Sequence, residues 1–571
     1  MAVELPSARA VERLRAGVER LNAARPDQAA GVFRALVAEQ PELPDGHRLL
    51  GLALKALGDS GGAEGALRAA LVCDPSSSST VYALSDLLME RGRAEEALAA
   101  VAPLAIRAGA DLHILSAYGA ALKALGRLED ARAAYARAAA VAPASAVAEH
   151  NLASVLGDLE SFADSEVAAR RALAKGLDAP ETWLVLARAL LGQGRAGEAE
   201  DAYRAVIARR PDHVDAHGEL AQLIWMRTDD VGAAAVALDL ARIRFPDLQA
   251  LALKKAELLQ AAGDLEGAYA AVAPVASRAD AEPMMHVIAA RFSLWQDPPR
   301  ALRHALLAVN MIPKNAVAQS TLCEAHFATG EPAAAERIAA RMHEADPTDQ
   351  HFLGLLATAW RLLGDARYER LYDYDAVVKT FHMDVPKDWP NLEAFLADLS
   401  VGLGRLHTFR THPVGQSVRH GSQTSQRLTL SDDPAIQAFF AAMDGPISRY
   451  IAALGPGDDP LRSRITGGYK FNGEWSVRLR EGGYHAGHLH PRGWLSSAFY
   501  VVLPQALDRE REGWLKFGEP GVRTEPPLPP EHFVKPEPGL LALFPSYMWH
   551  GTVPFSGSDH RLTIAFDIVP T

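Results

Sequence analysis

At 571 residues the chain is longer than one hydrophobic core normally serves, so two or more structural units are expected. A formal charge of −12 with no dominant basic face argues against a nucleic-acid or anionic-membrane partner. The start, Met1-Ala-Val-Glu-Leu-Pro-Ser7, has no basic region leading into an apolar one, and no apolar run reaches membrane-span length, which predicts a cytoplasmic protein. Cys73 and Cys323, far apart, exclude a disulfide framework or thiolate metal site and read as free structural thiols.

The first two thirds of the chain are periodic. Pro41, Pro75, Pro143, Pro211, Pro313 and Pro347 fall on one lattice of period 34, and Gly58, Gly92, Gly126, Gly194, Gly330 and Gly364 on a second, seventeen residues later. Pro246 and Gly263 are one residue late, as an insertion near Asp229-Asp230 would cause. Glycine between two helices and proline after the second, every 34 residues, is the tetratricopeptide pattern. Between the markers, Asp111 to Gly126 carries apolar residues at helical spacing, with Gly126 free to take a left-handed cap. Arg127 to Pro143 supplies the second helix, and Ala97, Ala131 and Ala199 allow close helix crossing. About ten repeats fit, and residues 7–370 are assigned to an all-α tetratricopeptide superhelix whose concave groove suits an extended protein or peptide. A spacer or homodimer surface is the alternative use of such an array. His113, His150, His213, His217 and His286 form no common metal site at their repeat phases and read as surface or groove residues.

After Gly364 the register ends. Aromatics and prolines from Tyr368 to Pro390 read as a junction packed against both units. Leu392 to Leu406 and Asp433 to Leu454 are helical, and the polar stretch His412 to Thr424 between them reads as a loop lining the site entrance or serving structure alone. From Arg464 onward short runs alternate with Gly/Pro turns, as in a jelly roll, so residues 371–571 form a β domain with flanking helices. Gly518 to Pro530 must be a loop, on the surface or over a substrate.

Chemistry concentrates in Gly482-Gly-Tyr-His-Ala-Gly-His-Leu-His-Pro491, between the strands Trp475-Ser-Val-Arg-Leu-Arg480 and Leu495 to Leu503. On an extended chain His488 and His490 point to one side and can converge on one ion. A third candidate, His550, follows the apolar strand and Pro/Ser turn of Gly539 to Thr552; Arg561 and Thr563 share one face of a last strand. An HxH…H set on strands suits catalytic zinc with an open water position, a cupin-type dioxygenase, or non-haem iron. His485 is a lesser candidate ligand or supporting partner, His560 points away from Arg561, and Trp494, Trp514 and Trp549 read as core or rim packing. No Gly-rich phosphate loop precedes a helix, which sets aside a nucleotide-dependent transferase.

Trp475-Ser-Val-Arg-Leu479, Gly483 to Ser497, Gly513 to Pro520, Phe544 to Thr552 and Arg561-Leu-Thr-Ile-Ala-Phe-Asp567 together resemble bacterial iron(II)/2-oxoglutarate oxygenases that carry an N-terminal tetratricopeptide region. The resemblance covers about the last third of the chain and implies a double-stranded β-helix (jelly-roll) domain. It implies iron(II) held by His488, His490 and His550, with 2-oxoglutarate and dioxygen as co-substrates for hydroxylation of a protein or peptide. Arg561 would pair with the distal carboxylate of 2-oxoglutarate, with Thr563, Arg478 and Tyr484 as further contacts. The chain departs from the common pattern at His490, where that family usually has a carboxylate. The departure leaves open a three-histidine metal enzyme that does not use 2-oxoglutarate, or a non-catalytic interaction scaffold.

Overall fold

The computed structural model describes residues 8–505 and 509–571. Among them, twenty-one helices run from Ala8–Asn22 to Gln350–Leu363, and the two lattices mark the ends of twelve of these. The lattice glycines all sit at positive φ, between 67° and 78°, where they stop a helix at no steric cost. The lattice prolines stand two residues past helix ends, as Pro143 does after Leu128–Val141. The expected insertion is taken up at Asp229, left-handed with a φ of 61°, at the end of helix Val214–Thr228.

The chain divides into two compact units, residues 1–195 and 196–571, so helices from Ala196 onward share a unit with the strands. In the first unit the helices meet through small residues. A Cβ on Gly119 would lie 2.8 Å from the ring of Tyr135 on the next helix, and Ala97 and Ala131 are fully buried. Cys73 and Cys323 are both free. No helix among the described residues is long and apolar enough to cross a membrane.

In the second unit, the helices from Ala196–Arg209 to Gln350–Leu363 lead into nine strands. These are β1 (Lys379–His382), β2 (Val418–Gln423), β3 (Tyr469–His485), β4 (Leu495–Val502), β5 (Leu515–Phe517), β6 (His532–Val534), β7 (Leu540–Pro545), β8 (His550–Thr552) and β9 (Arg561–Pro570). They form two antiparallel sheets, ordered β1-β7-β4-β9-β3-β2 and β6-β5-β8, consistent with a double-stranded β-helix. Helices Leu392–Leu406 and Pro434–Leu454 lie where the sequence predicts, and the latter buries Phe439 against Phe499, ring centroids 4.8 Å apart. β1 and β2 correct the expectation of a plain junction and a plain loop. Both are edge strands, short and weakly alternating, and are held by partners far away in the chain. Burial also corrects the histidines: His213, His217 and His286 are inside. His213 accepts from the Ala216 amide at 3.4 Å, His217 donates to the Pro211 carbonyl at 2.8 Å, and His286 stands 3.1 Å from His304.

His407, past the end of Leu392–Leu406, is buried with both ring nitrogens on serines, Ser422 at 2.9 Å and Ser476 at 3.0 Å. The Ser476 hydroxyl donates to the Thr563 carbonyl, so it accepts from His407 Nε2, and Nδ1 accepts from Ser422. Burial pushes the His407 pKa down to about 3. The unfolded chain therefore binds this proton from about pH 6.5 downward while the folded one does not. The stability held by the neutral ring is full above about pH 6.5 and is lost toward about pH 3, at up to about 1.4 kcal/mol per pH unit. Urea midpoints measured between about pH 6.5 and pH 5 should fall, and less steeply in His407→Gln, whose amide can both donate and accept.

Candidate metal centre

β3 ends at His485 and the chain bends at Gly487; from the bridge at His488 onward, His488 and His490 share a side while Leu489 faces away. His488 and His550 exchange both backbone hydrogen bonds, each 3.0 Å, which brings the start of β8 against the HxH segment. The His490 amide is tied to the Ser546 carbonyl at 3.0 Å. In this frame one side-chain ligand atom from each of His488, His490 and His550 lies within 4.8 Å of the others.

The other ring nitrogens are all occupied. His488 Nδ1 donates to the Ala486 carbonyl and His550 Nδ1 to the Met548 carbonyl, each at 2.9 Å, and His490 Nδ1 donates to the Asp567 carboxylate at 2.7 and 2.5 Å. The three Nε2 lone pairs are therefore free for one ion. Burial, reinforced by the neighbouring imidazoles, pushes the His488 pKa down to about 3 and holds His550 well below the ordinary histidine value, so both are neutral at pH 7.

Asp567 is the functional residue that motif spacing leaves unassigned. The ligand set has no carboxylate, but one stands directly behind His490, fixed by the Ser496 hydroxyl at 2.7 Å, which also contacts Ser546. It sets the tautomer of His490 and places a carboxylate one residue behind the open Nε2. The legible signal was its parity: Arg561, Thr563, Ala565 and Asp567 alternate onto one face of β9. Asp567→Asn is expected to weaken metal binding by about 10- to 100-fold while leaving the fold intact, as read by metal titration against circular dichroism.

Arg561 is 2% exposed. Its Nη1 donates to Thr552 at 3.2 Å and its guanidinium lies 5.2 Å from the Tyr500 ring centroid, but Nε has no partner among the described residues. Burial lowers its pKa from the ordinary arginine value. A cation so placed calls for a carboxylate. Thr563 is buried on the same face and pairs across the sheet with Tyr500. Arg478 and Tyr484 are not brought there. Arg478 pairs with Leu562, whose neighbours Arg561 and Thr563 define the site face, so strand alternation sends it the other way, where it donates to the His407 carbonyl at 3.2 Å. Tyr484 pairs with Arg419 on the opposite face from His485. His485 is the one that turns inward, its ring 5.7 Å from that of His488 and its Nδ1 3.1 Å from the Ser417 hydroxyl.

The residues alternating with the ligands pack on the last repeat helix. Leu489 and Trp549 join the core of Gln350–Leu363, and Trp549 Nε1 donates to Thr358 at 2.9 Å and to the Gly354 carbonyl at 3.2 Å. A Cβ on Gly354 would stand 2.3 Å from Leu489 Cδ2, so any side chain there would force Leu489 to shift. Tyr372 donates to the Tyr547 carbonyl at 3.0 Å, and the 518–530 loop is strapped to the same helices by Arg361, which reaches the Gly518 and Pro529 carbonyls at 2.8 and 2.9 Å. Trp494 and Trp549 are core residues, and His560 is exposed.

Residues 473–567 match the family described as "Putative 2OG-Fe(II) oxygenase", and residues 14–78, 150–212 and 184–249 match "Tetratricopeptide repeat". The chain is a tetratricopeptide-repeat protein with a C-terminal domain of that oxygenase family, which implies iron(II) and 2-oxoglutarate. Tetratricopeptide regions mediate protein interactions. Solved structures similar to parts of the chain include PilF of Pseudomonas aeruginosa, at 14% identity over 37% of this chain and 97% of that one, TM-score 0.33. A thermophilic tetratricopeptide protein of Thermus thermophilus matches at 26% identity over 32% and 98%, TM-score 0.28. A tetratricopeptide-repeat protein of Parabacteroides merdae matches at 17% over 49% and 97%, TM-score 0.33. No curated protein matches the chain.

Proposed function

We propose that the protein is an iron(II)/2-oxoglutarate-dependent oxygenase that hydroxylates a protein or peptide recruited by its repeats, residues 7–370 serving recruitment and residues 371–571 catalysis. The observation that carries this reading is the pairing, inside one β domain, of three free Nε2 lone pairs with a buried guanidinium whose Nε is unpaired. The residues fit the groups the family implies. His488, His490 and His550 would hold iron(II) through Nε2, and Arg561 with Thr563 would bind the distal carboxylate of 2-oxoglutarate. Iron(II) with 2-oxoglutarate supplies dioxygen activation for C–H hydroxylation, with succinate and carbon dioxide as co-products.

The chain's own residues have definite tasks in this reading. Asp567 keeps the Nδ1 proton on His490 and offsets part of the metal charge that a carboxylate ligand would otherwise balance. Met548 and Ala486 carbonyls do the same orienting work for His550 and His488. Tyr500 and Thr552 hold the Arg561 fork in place, and Leu479, its partner across the sheet, belongs to a buried apolar cluster with Val418, Val477 and Phe555.

The test is anaerobic titration of the iron(II)-loaded protein with 2-oxoglutarate, followed by the visible metal-to-ligand charge-transfer band. A saturable band supports the reading. Iron bound without a band would overturn it in favour of a three-histidine enzyme of another kind, and no metal binding would leave an interaction scaffold.

A further inference from the structure

We propose that a cavity between the repeat helices and the 414–419 segment is a substrate subsite that takes an acidic side chain, aspartate or glutamate, of an extended peptide; this deepens the oxygenase reading and rests on it. The cavity encloses about 370 Å³. One wall is built by three consecutive first helices, through Gln222 of Val214–Thr228, Gln260 of Gln249–Ala261 and Arg291 of Pro283–Ser293, and the other by Val414, Gln416 and Arg419.

Charge picks the occupant. Arg291 and Arg419 both line the space, and among the described residues neither has a carboxylate within ion-pair distance. Arg419 satisfies its Nη1 on the Gln416 and Val418 carbonyls, at 2.7 and 2.8 Å, and keeps its charge uncompensated. The one acid of the wall, Glu257, already has Lys254 at 3.6 Å. Two guanidinium groups therefore face the cavity, and a carboxylate is the group their forks fit. The backbone is bent to present one of them. The register of β2 on β3 shifts between Arg419 and Gly421, with His420 at a φ of 52°, a bulge that re-aims the preceding side chain.

Two features favour a peptide over a small acid and join the cavity to the metal centre. Through Gln222, Glu257 and Val414 the space continues along the same helices into a second cavity of about 90 Å³, longer than one side chain needs. The wall segment also ends on the site: the Ser417 carbonyl accepts from the Ala486 amide at 2.9 Å, and its hydroxyl meets His485, which stacks on His488. Arg419 pairs with Tyr484 on the face opposite His485, so a residue held by it would stand at the sheet edge, behind the segment that leads to the metal ligands.

Fluorescence anisotropy of the full-length protein, with fluorescein-labelled C-amidated Gly/Ser peptides of about nine residues bearing a central Glu, Asp, Gln or Lys, tests this. The Glu and Asp peptides should bind at least about ten-fold tighter than the Gln and Lys peptides. Arg419→Gln should erase the preference, and Arg291→Glu, on an exposed helix position that leaves folding untouched, should turn it toward Lys. Equal binding of all four, no binding by any, a preference that survives both substitutions, or equal affinity for free N-acetylglutamate would overturn the proposal. The measurement needs neither metal nor 2-oxoglutarate. A charge preference without a charge-transfer band therefore keeps the subsite and removes the oxygenase reading, and a band without a charge preference does the reverse.

Discussion

His550→Ala is expected to reduce iron(II) affinity by well over about 100-fold and to abolish the charge-transfer band with 2-oxoglutarate, the largest loss any single substitution should produce. The three Nε2 atoms are the only His, Cys, Asp or Glu ligand cluster among the described residues, and the nearest further imidazole, His485, has its Nδ1 tied to Ser417. His550 is also the ligand that joins the two ends of the site. It is paired by backbone to His488 and in the second sheet to Phe517, and its ring lies 4.2 Å from that of His488 and 5.1 Å from that of His490. Removing a ligand should exceed the 10- to 100-fold that an outer partner such as Asp567 is worth. Iron(II) titration with circular dichroism on the same sample checks this; an alanine variant that folds and still binds iron tightly would sink the three-histidine assignment.

Arg561→Met is expected to have the second largest effect, and in two opposite directions. Affinity for 2-oxoglutarate should fall by about 100-fold or more, since breaking a buried carboxylate pair costs about 3–5 kcal/mol, while iron(II) still binds. The protein without 2-oxoglutarate should become more stable, not less. Among the described residues Arg561 is buried with an unpaired Nε and no carboxylate partner, and a methionine, reaching about as far as that Nε, keeps the apolar stem without desolvating a charge. Arg561→Lys should keep the charge but lose the fork, and so recover only part of the binding. Thermal unfolding with and without 2-oxoglutarate separates the two effects. A methionine variant that binds 2-oxoglutarate normally would remove Arg561 from the site.

Features set by regular spacing along the chain are legible without a fold. A solenoid repeats one local solution, so two lattices of period 34 located helix ends that the structure places at left-handed glycines and at prolines two residues beyond. An extended HxH segment likewise puts two imidazoles on one side wherever it lies, so His488 and His490 were legible, and the long amphipathic helices at Leu392–Leu406 and Pro434–Leu454 were too.

Which residues lie across from one another follows from strand register and packing. Asp567 behind His490, the inward turn of His485 in place of Tyr484, and the turning away of Arg478 all depend on strand register, where a shift of one residue exchanges the two faces. β1 and β2 exist because distant strands pair with them, not because of their own composition. The seating of Leu489 on the last repeat helix uses the missing Cβ at Gly354, and Trp549 is held there by its Nε1 on Thr358 and the Gly354 carbonyl. Such contacts join residues more than a hundred positions apart, and close packing, which no local period encodes, selects them.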